Sequence, residues 1–201
     1  MPIDIAAFAL TAFLIELTPG PNMAYLALIA AVEGRRAGLA VLVGVALGLA
    51  VMGLAAAMGL AVLIQSDVWV YQALRWAGVL YLFYLAWEGW RGSEGAEGRY
   101  PASQSHWLHF RRGLISNLLN PKAAIFYITV LPEFLTPEAG LSGTLILGLV
   151  YVSIASAVHL AIVLAAGSAQ GWLASPERTR TVRRILALAL VGVALWILAK
   201  S

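Results

Sequence analysis

Residues 16–22 read Glu16-Leu17-Thr18-Pro19-Gly20-Pro21-Asn22, and they interrupt an apolar run that otherwise extends from Ile3 to Ala31. Two prolines remove two backbone donors, and their rings clash with the preceding turn. Gly20 adds conformational freedom between them. A helix crossing this stretch must break. The carbonyls left unpaired cannot face lipid, so the segment has to be buried in protein or line a cavity. The polar pair Thr18 and Asn22 favours a binding segment over a simple kink, which one proline would produce.

The lipid premise comes from composition. The chain has 201 residues, 61% hydrophobic and 11% charged, with a mean hydropathy of +0.85. Soluble domains carry about a quarter charged residues, so too few charges are present to clothe a water-facing surface. The net charge of +3 reflects Arg clusters in short loops, as membrane orientation requires; no nucleic-acid partner is expected. The absence of cysteine excludes disulfides and thiolate metal sites. Met1-Pro2-Ile3-Asp4 lacks a basic leader and the first apolar stretch contains Glu16, so helix 1 is expected to be retained.

The expected fold is all-α, with about six transmembrane helices: Ile3 to Ala31, Gly38 to Ile64 (closed by Gln65, Ser66 and Asp67), Val68 to Trp90, Gly113 to Leu131, Gly140 to Ala166, and Arg183 to Ala199. Glu33, Gly34, Arg35 and Arg36 form a polar turn, and Trp107, Leu108 and Phe110 read as a short interfacial segment. In the last helix Arg183 and Arg184 would snorkel. With the N-terminus outside, the inner loops hold Arg35, Arg36, Arg91, Arg99, Arg111, Arg112, Arg178, Arg180, Arg183 and Arg184, so both termini are expected to face outward. One transporter domain spans 1–201: a first three-helix repeat over 1–90, a cytoplasmic connection over 91–112, and an inverted second repeat over 113–201. An offset of 102 pairs Leu17 with Leu119, Pro19 with Pro121 and Tyr25 with Tyr127. Broken helices 1 and 4 thus open matching halves, a recurring transporter architecture.

The second break is Asn117, Asn120, Pro121 and Lys122. Lys122 lies mid-helix, where lysine costs about 2.5–3.5 kcal/mol on insertion scales, and too far from either end for its stem to reach the interface. It is expected to face a polar cavity or a partner. The half-helix beginning after Pro121 has a positive dipole end that favours an anion, so Lys122 beside it forms a candidate carboxylate cradle. Glu16 is the other deep charge; it could pair with Lys122, bind a substrate amine, or carry a proton. Thr18, Pro19, Gly20, Pro21, Asn22, Asn117, Asn120, Pro121 and Lys122 are therefore the candidate substrate-binding residues, with Glu16 the candidate for proton coupling. His159, Ser153 and Ser156 on helix 5 read as structural. Gly44 with Gly48, and Ala55 with Gly59, suit close helix packing. Trp69, Trp76, Trp87, Trp90, Trp107 and Tyr71 read as interfacial anchors. His106 and His109 make too weak a set for a metal, so no metal and no cofactor is expected.

These residues resemble the LysE/RhtB family of amino-acid exporters. One match is Thr18-Pro19-Gly20-Pro21-Asn22. The other is Phe110, Arg111, Gly113, Asn117, Asn120, Pro121, Lys122, Ala123 and Phe126, followed by Leu131, Pro132 and Phe134. Glu133 stands where the family more often has Gln. The resemblance covers essentially the whole chain. It implies a secondary exporter of amino acids or close derivatives in the bacterial inner membrane, driven by a proton or other ion gradient. The related disulfide-transferring branch is excluded by the missing cysteines. No phosphate-binding GxxxxGK[ST] loop occurs, so ATP would need a separate subunit. The competing classes are an intramembrane enzyme, for which no HExxH, GxSxG or Asp-rich motif is present, and a scaffold or channel subunit. Small helix bundles often associate, so a homodimer is an open alternative, although no residue pattern marks its interface.

Overall fold

A computed structural model describes residues 4–18, 20–58, 68–91, 106–135, 139–168 and 176–199, and these are helical with no strand among them. The helices are α1 (Ile5–Leu17), α2 (Pro21–Glu33), α3 (Arg35–Ala57), α4 (Val68–Arg91), α5 (His106–Leu118), α6 (Pro121–Glu133), α7 (Gly140–Ser168) and α8 (Pro176–Ala199). Among the described residues, α3 and α7 are each long and apolar enough to cross a membrane. The bent pairs α1–α2 (62°) and α5–α6 (49°) each reach that threshold together.

Both breaks are placed by proline at the first position of a helix, where its missing N–H is not needed. Pro21 opens α2 behind Gly20, and Pro121 opens α6 behind Asn120. Asn120 caps α6, its Oδ1 accepting from the Lys122 N–H at 3.0 Å. Asp4 does the same for α1, accepting from the Ala7 N–H at 2.9 Å. The two half-helices start at prolines 21 and 121 and end on glutamate, at 33 and 133. Pro19 itself lies outside the described residues.

Several boundaries differ from expectation. The polar turn after Glu33 is Gly34 alone, at φ 96°, a conformation that disfavours a Cβ; Arg35 and Arg36 already belong to α3. The expected interfacial segment at Trp107–Phe110 is instead part of α5, which begins at His106 rather than Gly113. The connection expected over 91–112 therefore gives up its last residues to the broken helix. α8 starts at Pro176 rather than Arg183. Arg184 stacks its guanidinium over the Trp90 ring at 4.9 Å, a partner that removes the need to snorkel. Gln65, Ser66, Asp67, Gly59 and the side chains of Tyr71 and Arg183 lie outside the described residues. Within α6 the turn Phe126–Val130 widens to π geometry. Pro132, unable to donate to the carbonyl four residues before it, follows directly.

α3 runs between α5 and α7, its two most extensive partners; α1 and α2 also pack on α7, and α4 pairs with α8. The α3–α5 contact is backbone to backbone. A Cβ at Gly44 would strike the Phe110 carbonyl, one at Gly113 the Val41 carbonyl, and one at Gly48 the Asn117 side chain. The Gly44–Gly48 pair therefore does the packing expected of it. Gly44→Leu should abolish the monodisperse folded peak in detergent size-exclusion chromatography, since overpacking against backbone cannot relax. Gly148→Ala, with nothing within 4 Å of the new Cβ, should leave the peak unchanged. A normal Gly44→Leu profile would contradict this packing.

The exterior is apolar and the interior partly polar, the reverse of a soluble domain. Leu39, Val43, Leu47, Val51 and Leu54 on α3 and Leu141, Leu145 and Leu149 on α7 are exposed. Glu16, Asn22, Ser116, Asn117, Asn120 and His159 are buried. Exposed apolar faces of this extent need a lipid environment. Trp69, Trp76, Trp87 and Trp107 also project outward.

Candidate functional site

The two breaks bring their chemistry to one place. Glu16, on the last turn of α1, is 3% exposed, a depth at which a carboxylate needs partners. It has three. Its Oε1 accepts from the Tyr151 hydroxyl at 2.9 Å. Its Oε2 lies 3.6 Å from Lys122 Nζ and 3.7 Å from His159 Nε2. Lys122 Nζ also donates to the Thr18 carbonyl at 2.9 Å. This is one of the carbonyls that the proline-rich break was expected to release.

A second set of contacts ties the broken helices together directly. Asn22 Nδ2 donates to Asn117 Oδ1 at 2.7 Å, and Ser116 Oγ donates to Asn22 Oδ1 at 2.9 Å. Asn117 Nδ2 points at the Met52 sulfur, 3.8 Å away. Below them Tyr151 is fixed by aromatic neighbours. Its ring stacks on Phe126 (centroids 3.6 Å apart) and meets Tyr127 edge-on at 5.4 Å. Tyr127 in turn donates its hydroxyl to the Leu49 carbonyl at 2.8 Å. The hydroxyl that holds Glu16 is thus oriented by rings on α6 and by α3.

The candidate residues named from sequence fall as follows. Glu16, Gly20, Asn22, Asn117, Asn120 and Lys122 line a common cavity, together with Met23, Leu49, Ala123, Tyr151 and His159. Thr18 contributes its backbone carbonyl, while its side chain is exposed. Pro21 and Pro121 are buried helix starts rather than cavity walls. Pro19 lies outside the described residues. The expected cradle at the start of α6 differs in detail, because Asn120 already takes the Lys122 N–H and Lys122 Nζ turns toward Thr18 and Glu16. The cavity measures ≈ 10 Å³, room for about one water molecule. Pockets that enclose small molecules run to about 300 Å³ and more, so the site as it stands has no room for an amino acid.

Sequence reasoning missed Tyr151, Ser116 and the role of His159. The signal for the first was present: Leu147, Tyr151, Ala155, His159 and Val163 recur every four residues and form the buried stripe of α7, so Tyr151 and His159 share a face. Ser153, by contrast, is exposed and donates to its own helix at Leu149. His109 also has a use other than metal binding. It is buried with Nε2 3.2 Å from Glu33 Oε2, joining the end of α2 to α5.

Comparison with known proteins gives a consistent picture. Residues 13–201 match the model of the LysE type translocator family. The chain is 27% identical over 180 residues to the homoserine/homoserine lactone efflux protein of Salmonella typhimurium, covering 89% of this chain and 87% of that one. It is 30% identical over 144 residues to the leucine efflux protein of Enterobacter, covering 71% and 68%. An uncharacterised membrane protein of Pseudomonas aeruginosa is 31% identical over 171 residues, covering 82% and 79%. No solved structure matches.

Proposed function

Because the chain belongs to the LysE type translocator family, we propose that it is a secondary exporter of amino acids or close derivatives across the bacterial inner membrane. The observation that carries this reading is the meeting of a buried acid, Glu16, and a part-buried base, Lys122, at the two helix breaks. A zwitterion presents the complementary pair. Its carboxylate suits Lys122; its ammonium suits Glu16 and the Thr18 carbonyl. The efflux activities named for two bacterial relatives favour transport over intramembrane catalysis or a scaffold role.

Transport would proceed by alternating access between two inverted three-helix repeats: α1 to α4, and α5 to α8 with their broken helices matched at Pro21 and Pro121. Six spans would put both termini on one side, and the inner-loop arginines favour the outside. Glu16 would carry the coupling proton: protonation and the substrate's ammonium are alternative ways to neutralise one buried carboxylate, which makes the two exchange.

The test is a cell panel. Bacteria that overproduce the protein are fed dipeptides, and the released amino acids are measured in the medium. Overproduction should speed the appearance of one or a few amino acids severalfold over vector controls. An unchanged profile across the panel, with the protein present in the membrane, contradicts export.

A further inference from the structure

α2 and α5 run antiparallel and meet through polar side chains at both ends. At the cavity, Asn22 donates to Asn117 at 2.7 Å and accepts from Ser116 at 2.9 Å. About three turns further along α2, Glu33 Oε2 lies 3.2 Å from His109 Nε2. Between the two contacts the Tyr25 hydroxyl is flanked by Arg112, Tyr81 and Glu33. We propose that this α2–α5 seam is the route by which substrate enters the Glu16–Lys122 cavity from the cytoplasm, and that the Glu33–His109 pair is its latch. This rests on the export reading above.

The seam is a polar line leading out of the cavity. Asn22 and Asn117 belong to the cavity wall itself. Tyr25, Arg112, His109 and Glu33 continue from them toward the end of the bundle that Arg35, Arg36 and Arg111 mark as cytoplasmic. Asn22, Tyr25 and Glu33 keep to one face of α2 by their spacing, and His109, Arg112 and Ser116 to one face of α5. A charged amino acid entering a bundle surrounded by lipid needs such partners along its way. The Glu33 side chain is 20% exposed against 2% for His109, so the pair sits where an entering solute meets it first.

This contact is also one that can part. α3 meets α5 backbone to backbone at Gly44 and Gly113, and neither helix withdraws without losing that interlock. α2 shares far less backbone contact with α5 than with α3 or α7; side chains hold it there. Two of those side chains are held at a cost. The Tyr25 hydroxyl and His109 Nδ1 are buried without a hydrogen-bond partner among the described residues, and a buried polar atom left unpaired is destabilising. Water admitted between the helices satisfies both atoms, which offsets part of the loss of the Glu33–His109 and Asn22 contacts.

The chain has no cysteine, so an introduced thiol reports alone. Ser116→Cys puts one on the seam in the full-length protein, and a membrane-impermeant methanethiosulfonate is applied to inside-out membrane vesicles. Adding His109→Ala should speed modification about tenfold or more, the scale of one lost hydrogen bond to a charged group. Right-side-out vesicles should show no such gain. An unchanged rate with His109→Ala, or an equal gain from both faces, overturns the proposal. So does an equal gain at Ala194→Cys, a buried position on α8, because the whole bundle would then have loosened.

A second arm reads transport. Glu33→Cys with His109→Cys, joined by a reversible bifunctional thiol reagent, is placed in liposomes loaded with radiolabelled common amino acids and L-homoserine. Protein-dependent efflux should fall to the leak rate in the joined protein and return on reduction. Efflux that persists in the joined protein overturns the seam as the route while leaving export intact. If the unmodified chain releases no amino acid, the export reading fails and the substrate route with it. If the two thiols do not join, the labelling series still decides.

Discussion

Lys122→Ala should abolish amino-acid efflux while the protein remains inserted and folded. Removing one member of a fully buried pair costs about 3–5 kcal/mol because the other is stranded; Lys122 is only part-buried, so the lower end applies, and each 1.4 kcal/mol is about a factor of ten. Two groups lose their partner in this variant: Glu16, 3.6 Å away, and the substrate carboxylate. A loss of about 100-fold or more in efflux rate is expected. Insertion should survive, because deleting a mid-helix lysine removes an insertion cost and Glu16 keeps Tyr151 and His159 beside it. Efflux from proteoliposomes, normalised to protein recovered in the membrane, measures the effect. Wild-type efflux in Lys122→Ala would remove Lys122 from the site.

Glu16→Gln should split the activity in a different way. Glutamine retains a carbonyl that accepts from Tyr151 or from a substrate ammonium, but it can neither ionise nor carry a proton. Exchange of labelled for unlabelled amino acid should therefore persist with a raised KM. Net efflux driven by an imposed proton gradient should fall to the leak rate. Both are read from the same vesicles, with amino acid present on both sides for exchange and on one side for net flux. Gradient-driven efflux at the wild-type rate would refute a coupling role for Glu16. Loss of exchange and net flux together would instead mark Glu16 as a binding residue only.

Much of the fold was legible because proline and lipid each impose a rigid rule. Pro21 and Pro121 cannot donate, so helices start there; α3, α7 and the two bent pairs are apolar over lengths that can cross a membrane, and those four were legible as apolar runs. Two boundaries shifted where side chains have partners that the order of residues does not show. His109 is buried beside Glu33, within a helix that begins at His106. Arg184 was expected to snorkel and instead rests on Trp90, within a helix that begins at Pro176.

The site was half legible. Glu16 and Lys122 declared themselves as charges that lipid cannot accept, and the break residues as backbone that lipid cannot satisfy. Tyr151 and His159 share one face by their four-residue spacing, but α7 is apolar around most of its surface, so that spacing does not say which face turns inward. Only the contact with Glu16 selects that face. Asn120 was read as a possible substrate ligand, yet its Oδ1 is engaged by the Lys122 N–H. A capping role of this kind depends on backbone geometry, which the order of residues does not reveal.

The most direct test of the account is efflux from liposomes containing the purified protein and preloaded with a panel of amino acids, with and without an inwardly directed proton gradient. The account predicts saturable, protein-dependent efflux of one or a few amino acids, accelerated by the gradient and lost in Lys122→Ala. Amino-acid release that is indistinguishable from that of protein-free vesicles under both conditions would contradict it.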